Sequence, residues 1–384
     1  MITILHVLLI IIGSLALLMA LAGVGYTTLA AIVVLCWQKK ETIARKEWPS
    51  VSLVKPLHGD EPALVENLSS FLEQDYPAEY EMLCGIQHPD DPAGKMVREM
   101  ASKSNQTAVR LIVDTKSHGT NAKISNLINI TAHIGHDILI ISDSDMSVPD
   151  CYIRQVVHAL EKEDVGAVTC LYHGRGDNGF WSQLSASNID YNFLPSVMVG
   201  VALRKANPCM GSTIAIKRDT LEAIGGFSSL ANILADDYVL GAKVRALGLK
   251  VEVIPVILTH SCTETSFLSL VRHELRWSAT IRDIDPVGFF GSAVTYPVPL
   301  AFVGLMLTNE WLSWPVLCLA LASRWLLGLR INRVTGVSRW EALLQLPFRD
   351  LLSFGIFLST FFISSVDWQG MELTLHSDGR ISRK

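Results

Sequence analysis

The sequence predicts an α/β protein: a doubly wound, mainly parallel sheet flanked by N-terminal and C-terminal transmembrane helices. Three observations carry this expectation. Residues 2–37 contain no Asp, Glu, Lys or Arg, well beyond the roughly 20 apolar residues that a spanning helix needs. Residues 48–259 alternate strand-like and helix-like runs, the order that builds a parallel sheet with crossover helices. After Pro286 the chain turns apolar again. The composition agrees, with 49% hydrophobic and only 18% charged residues.

Residues 1–38 read as an N-terminal anchor. A cleaved signal peptide wants a basic n-region and a short apolar core, and neither is present. The flank Lys39-Lys40-Glu41-Thr42-Ile43-Ala44-Arg45-Lys46 is rich in the basic residues that stay on the cytoplasmic side of a span, so the next domain, residues 48–285, is expected to face the cytoplasm. Within it, 51–57, 82–87, 109–114, 138–142 and 167–171 are rich in β-branched or large apolar residues and read as strands. Between them 64–74, 95–102, 122–133 and 152–161 have helical spacing, the last opened by Pro149-Asp150. Residues 286–366 should form two to three membrane helices from the apolar stretches 287–307, 312–328 and 346–366. Each has a defect: Pro297 and Pro299, Arg324, or Arg349-Asp350. One of the three is expected to be re-entrant or interfacial, because the basic tail 367–384 reads as a cytoplasmic hairpin around Ser377-Asp378-Gly379.

The net charge of −5, with no basic cluster interleaved with aromatics, argues against nucleic acid as a partner. Seven cysteines are scattered without ligand spacing, which argues against both a zinc site and a disulfide framework and fits a reducing compartment.

The most informative stretch is Ile138-Leu139-Ile140-Ile141-Ser142-Asp143-Ser144-Asp145, an apolar strand ending in two carboxylates. Ligands sit at the carboxyl ends of strands in open α/β sheets, and Asp143 with Asp145 can hold a divalent cation, Mn²⁺ or Mg²⁺, against a diphosphate. That points to nucleotide-sugar chemistry; read alone, D-S-D is equally a solvated turn. Asp90 and Asp91, in Gln87-His88-Pro89-Asp90-Asp91-Pro92, follow the second strand, where an acid can accept from a uracil N–H or ribose hydroxyls; Asp-Pro is also ordinary turn chemistry. Asn121 and Lys123 open a helix whose N–H groups and ammonium suit an anion, or serve as plain helix-start residues. Asp236-Asp237 head another helix at 239–247. Asp236 there reads as an N-cap, and Asp237 as a first-turn acid or as a general base that takes the proton of an attacking hydroxyl. In Arg272-His273-Glu274-Leu275-Arg276-Trp277, Arg276 can grip a phosphate bidentately and Trp277 can line an acceptor site; a juxtamembrane Arg/Trp pair is the alternative.

Taken in order, KPLHGDEP, Glu73-Gln74-Asp75-Tyr76-Pro77, QHPDDPA, NAKISNL, DSD, ADDY and the Arg276-Trp277 pair resemble the ceramide glucosyltransferase family, glycosyltransferase family 21, whose bacterial relatives include the glycosyltransferase of hopanoid biosynthesis. The similarity runs from about Val51 to Trp277 and continues weakly into Trp368-Gln369-Gly370. The resemblance implies a GT-A-type, Rossmann-like fold and an inverting, metal-dependent transfer from an α-linked UDP-sugar to a lipid alcohol. It implies that Asp91 is the first conserved acid, Asp143 and Asp145 the metal pair, Asp237 the base, and His273, Arg276 and Trp277 the last motif. His273 departs from the Gln or Arg usual at its position. Asp145 replaces the Gly of many ceramide-type members and completes the pair.

The expected activity is therefore transfer of N-acetylglucosamine or glucose to a membrane lipid, a hopanoid polyol being favoured over ceramide, at a bacterial inner membrane. A processive polysaccharide synthase would need a wider channel than these apolar segments provide. A silent protein that binds nucleotide-sugars or moves lipids is disfavoured by the retained acids.

Overall fold

The computed structural model describes residues 2–37, 47–103, 107–363, 365–368, 371–375 and 381–383. The basic flank 39–46, Gln369-Gly370 and the turn at 377–379 lie outside the described residues.

The central sheet has eight strands: β1 (Val51–Pro56), β2 (Tyr80–Ile86), β3 (Ala108–Val113), β4 (Ile138–Ile141), β5 (Met146–Ser147), β6 (Val165–Gly176), β7 (Ile214–Lys217) and β8 (Lys250–Cys262), in the order β3-β2-β1-β4-β7-β6-β8-β5. The expected strands 51–57, 82–87, 109–114, 138–142 and 167–171 all fall on observed ones. The sheet is mixed, however. The β3-β2-β1-β4 half is parallel, but β7 runs antiparallel to both β4 and β6, and β5 antiparallel to β8. The chain between β6 and β7 leaves and returns at one edge of the sheet, so no crossover is made, and an antiparallel neighbour needs none.

Alternate residues of the buried strands feed two cores. Leu53, Met82, Cys84, Ile140 and Val168 pack on one face under Leu64–Leu72, Pro92–Lys103 and Tyr152–Leu160. Val54, Leu83, Leu139, Ile141 and Ala167 pack on the other under Ala122–Thr131 and Asp236–Ala246. Burial on both faces is why β4 is an unbroken apolar run rather than an alternating one, and why every residue of β1, Lys55 included, is buried. Strand β8 pairs in parallel with β6, with a bulge: Cys170 faces Ile254 and Leu171 faces Ile257, leaving Pro255 and Val256 outside the register. A proline has no N–H for a ladder, and the bulge accommodates it.

Helix Ile2–Cys36 has 35 residues, about 52 Å at 1.5 Å per residue, longer than a hydrocarbon core of about 30 Å. It packs on Pro297–Thr308 and Ser313–Thr335. Among the described residues, three helices are long and apolar enough to cross a membrane: 4–36, Ser313–Thr335 and Trp340–Thr360. Residues 286–295 and Pro297–Thr308 form a pair bent by 69°, with Pro297 and Pro299 at the break; this is the segment whose shape fits a re-entrant or broken span. The charged defects of the other two segments neutralise each other: Arg324 and Asp350 pair bidentately at 2.7 and 2.8 Å. Arg349 pairs with Glu274 of helix Phe267–Ile284, joining helix Trp340–Thr360 to the helix that follows β8. The tail forms a three-stranded antiparallel sheet of Ser365–Trp368, Met371–Leu375 and Ile381–Arg383.

Candidate active site

Strand β1 sends Lys55, wholly buried, beneath the end of β4. Its Nζ donates to Ser142 Oγ (3.1 Å) and to the Asp143 carbonyl (2.9 Å) and sits 3.3 Å from the centroid of the Phe71 ring. Burial pulls this ammonium down to about 7, against the upward pull of Cys84, Asp143 and Asp145. Lys55 thus braces the Asp143-Ser144-Asp145 turn from within.

Above it, Lys123 Nζ lies 2.5 Å from Asp143 Oδ1 and 4.0 Å from Asp236 Oδ2. Burial opposes the charge of Lys123, yet Asp143, Asp236 and Asp237 together raise its pKa. Burial likewise raises Asp236 to about 6 despite Lys123. Gly211, just before β7, donates its N–H to Asp237 Oδ2 at 3.0 Å. A Cβ there would stand 3.1 Å from both Asp143 Oδ2 and Lys123 Nζ and 3.6 Å from Asp237 Oδ2. Asp143, Lys123 and Asp237 therefore converge on one backbone position.

Loop docking produces this convergence. Gly119 lies so close to loop 231–233 that a Cβ would meet the Ala231 carbonyl, and Asn121 N donates to that same carbonyl at 2.9 Å. Asn121 is a helix N-cap, its Oδ1 accepting from Ile124 N at 3.0 Å, while its Nδ2 donates to Ile233 O and Asp236 Oδ1. It braces the loop carrying the acids. Asp236 is the first helical residue and makes no capping bond; Ala235 occupies the cap position. The N-cap expected at Asp236 is thus replaced by its interactions with Lys123 and Asn121.

On the other side of the turn, Asp145 Oδ2 lies 3.2 Å from His260 Nε2 at the end of β8. Burial raises the carboxyl, but His260 outweighs it and the pKa is lowered. Ser144 Oγ donates to Glu61 Oε1 at 2.6 Å, and burial pushes Glu61 up to about 7. Helix Phe267–Ile284, opened by a Ser266/Ser269 capping box, brings up His273, Arg276 and Trp277. His273 Nδ1 is 2.5 Å from Glu264 Oε1, and its ring meets Trp277 edge-on at 4.5 Å between centroids. Arg276 is coupled electrostatically to Asp145 and Asp143, and burial lowers its pKa.

Asp91 is engaged elsewhere: its carboxylate accepts from Gly59 N (3.1 Å) and Ala93 N (3.0 Å), with His58 Nδ1 at 3.5 Å. It closes the loops after β1 and β2. Asp90 beside it is exposed. A larger cleft, about 480 Å³, is lined by Glu73, Gln74, Asp75 and Tyr76 and contains none of the site residues. The Glu73–Pro77 motif is a scaffold: Tyr76 Oη donates to Pro49 O, and Gln74 bonds Ser70, Pro149 and Ile153.

The donors suit a hard divalent cation. Asp145 Oδ1 is buried with no hydrogen-bond partner, and carboxylate oxygens are what Mg²⁺ and Mn²⁺ prefer. Among the described residues no three His, Cys, Asp or Glu side chains form a metal-binding cluster. Such ions usually take one or two protein carboxylates and complete their shell with substrate phosphates and water, so Asp143 and Asp145 are the protein ligands available.

The sequence pattern of glycosyl transferase family 21 matches residues 15–381. The chain belongs to this family. Ceramide glucosyltransferase 1 of Caenorhabditis elegans is 23% identical over 230 residues, 60% of this family-21 chain and 49% of that protein. The probable glycosyltransferase YdaM of Bacillus subtilis is 24% identical over 238 residues, 61% of this chain and 55% of that one. This family-21 chain thus spans about half the length of the curated relatives it matches. The mannosyltransferase PcManGT of Pyrobaculum calidifontis, solved with GDP-Man and Mn²⁺, superposes with a TM-score of 0.53 at 20% identity, covering 91% of this chain and 98% of that one. The family-21 chain has a GT-A-type fold.

Proposed function

We propose that the protein is a membrane-bound, inverting transferase that moves a hexose, N-acetylglucosamine or glucose, from a UDP-sugar to the primary hydroxyl of a membrane lipid. The convergence of Asp143, Lys123 and Asp237 on Gly211 carries this reading. Asp237 takes the proton of the attacking hydroxyl. Lys123, Arg276 and His273 face the charge of the diphosphate as it leaves, and Trp277 lines the acceptor side. When bound between Asp143 and Asp145, a divalent ion supplies Lewis-acid neutralisation of the diphosphate. Asn121 and Asp91 hold loops, and Asp90 lies free for a ribose or uracil contact. The helices after Pro286 guide the lipid, and the basic flank after the anchor sets the catalytic domain on the cytoplasmic side of a bacterial inner membrane. We favour a hopanoid polyol over ceramide because the full Asp143/Asp145 pair resembles the bacterial branch.

Mass spectrometry of lipids from a host expressing the chain, supplied with each acceptor and with both labelled UDP-sugars, tests this reading; no new glycolipid in any combination would refute it. Asp145→Asn should weaken Mn²⁺ binding, read by electron paramagnetic resonance, by about 10- to 100-fold or more. Gly211→Ala pushes a methyl against Asp143, Lys123 and Asp237, and should lower kcat about 10- to 100-fold with little change in the thermal midpoint.

A further inference from the structure

Helices Phe180–Asn188 and Phe267–Ile284 begin next to each other, and their first turns leave large apolar side chains uncovered. Phe180, Phe267 and Leu268 are 48%, 49% and 55% exposed. The rings form a chain: Phe180 meets Trp181 edge-on at 5.0 Å between centroids, and Trp181 meets Phe267 at 5.5 Å. Scattered apolar residues on a surface need no explanation, whereas a contiguous patch marks a binding surface. Three observations identify what covers this one. First, the patch continues into helix Trp340–Thr360, which is long and apolar enough to cross a membrane. Trp181, Leu184 and Leu270 pack with Leu352 and Ile356 of that helix, which exposes Phe348, Leu351 and Leu358 beside them. Second, the charge at its edge is basic. Arg272 is exposed and stands one turn after Leu268 on the same helix face, while the acids on either side are already paired, Asp177 with Arg175 at 2.8 Å and Glu264 with His273. Third, the chain that follows helix Trp340–Thr360 departs from the opposite end of helix Phe267–Ile284, where Arg282 donates to Ile363 O at 2.9 Å. Aromatic and Leu side chains with an Arg at their edge are what a protein surface presents at the boundary of headgroups and acyl chains.

We propose that the surface of Phe180, Trp181, Phe267 and Leu268 docks on the lipid bilayer, as a membrane contact made by the catalytic domain itself. Phe180, Phe267 and Leu268 enter the acyl boundary, and Arg272 faces the lipid phosphates. The inference rests on the membrane-bound reading and adds to it. Because the same helix carries His273, Arg276 and Trp277, the contact sets the acceptor side of the site at the height of the headgroups. The test is electron paramagnetic resonance on the full chain, with Cys36, Cys151 and Cys318 changed to Ser so that no accessible thiol competes, in vesicles of phosphatidylethanolamine and phosphatidylglycerol. Single nitroxide labels are placed through Phe180→Cys and Leu268→Cys, with Leu15→Cys in the N-terminal helix and Val113→Cys on the far edge strand β3 as references, both exposed in the fold. At 180 and 268 collisions with oxygen should gain several-fold on collisions with a nickel chelate relative to position 113, corresponding to a depth of about 5–10 Å. Positions 180 and 268 as open to nickel as position 113, with Leu15→Cys in hydrocarbon, would overturn the docking surface and leave the membrane-bound reading standing. Nickel access at Leu15→Cys as well would refute both. Nickel protection at 180 and 268 with spin–spin broadening between chains and no gain in oxygen collisions would place a second copy of the chain on the patch, which also overturns the proposal.

Discussion

Asp237→Asn should reduce turnover about 10²- to 10⁴-fold, the range that a positioned general base supplies, while UDP-sugar affinity stays near that of the wild type. The side chain is aimed by two backbone donors: Gly211 N holds Oδ2 at 3.0 Å and Tyr238 N holds Oδ1 at 2.7 Å. An amide preserves the shape and one acceptor but has no basic oxygen for the incoming proton. Asp236→Asn should behave differently, because Asp236 is tied to Lys123 and Asn121; its loss loosens the lysine facing the diphosphate and raises the donor KM more than it lowers kcat. Steady-state kinetics on both variants, with isothermal titration of UDP-sugar, separates the roles. Wild-type lipid glycosylation by Asp237→Asn would remove Asp237 as the base.

Much of this site is written in local sequence. β4 is legible because burial on both faces leaves a continuous apolar run, and Asp143 and Asp145 are legible because they follow that run after a single serine. Asp237 stands out in the same way at a helix start. What the letters hide is non-local. β7 is only four residues, Ile214–Lys217, and its insertion between β4 and β6 depends on where the preceding helices return the chain; so the expected mainly parallel sheet became a mixed one. β8 is masked by Pro255, which reads as a strand breaker until the bulge opposite Cys170 and Leu171 is seen. His260 lies near its end and is hidden with it. Glu61 and Glu264 gain meaning only through folding, which brings them to Ser144 and His273. A sharper signal for Lys55 was available: a lysine inside an apolar strand demands a buried partner, and the partner is the paired-acid turn.

The second large effect is expected at Arg324 and Asp350, whose side chains are 4% and 1% exposed. Besides the bidentate pair, Arg324 donates to Tyr191 O at 2.8 Å and to Asn192 Oδ1 at 2.7 Å. Those two residues lie in the π-helical turn Ile189–Phe193, so one guanidinium ties helices Ser313–Thr335 and Trp340–Thr360 to the helix leading out of β6. Removing one partner of a buried pair strands the other charge, at a cost of about 3–5 kcal/mol, whereas replacing both with apolar groups of similar volume is often nearly neutral. Asp350→Ala should therefore lose most of its folded population in detergent, read by thermal or denaturant unfolding, while the double variant Arg324→Met, Asp350→Leu recovers most of the loss. The recovery should be incomplete, because the Met cannot donate to Tyr191 O or Asn192 Oδ1. Equal destabilisation in the single and double variants would mean that the contacts to Tyr191 and Asn192, rather than the ion pair, hold helix Ser313–Thr335 to the turn Ile189–Phe193.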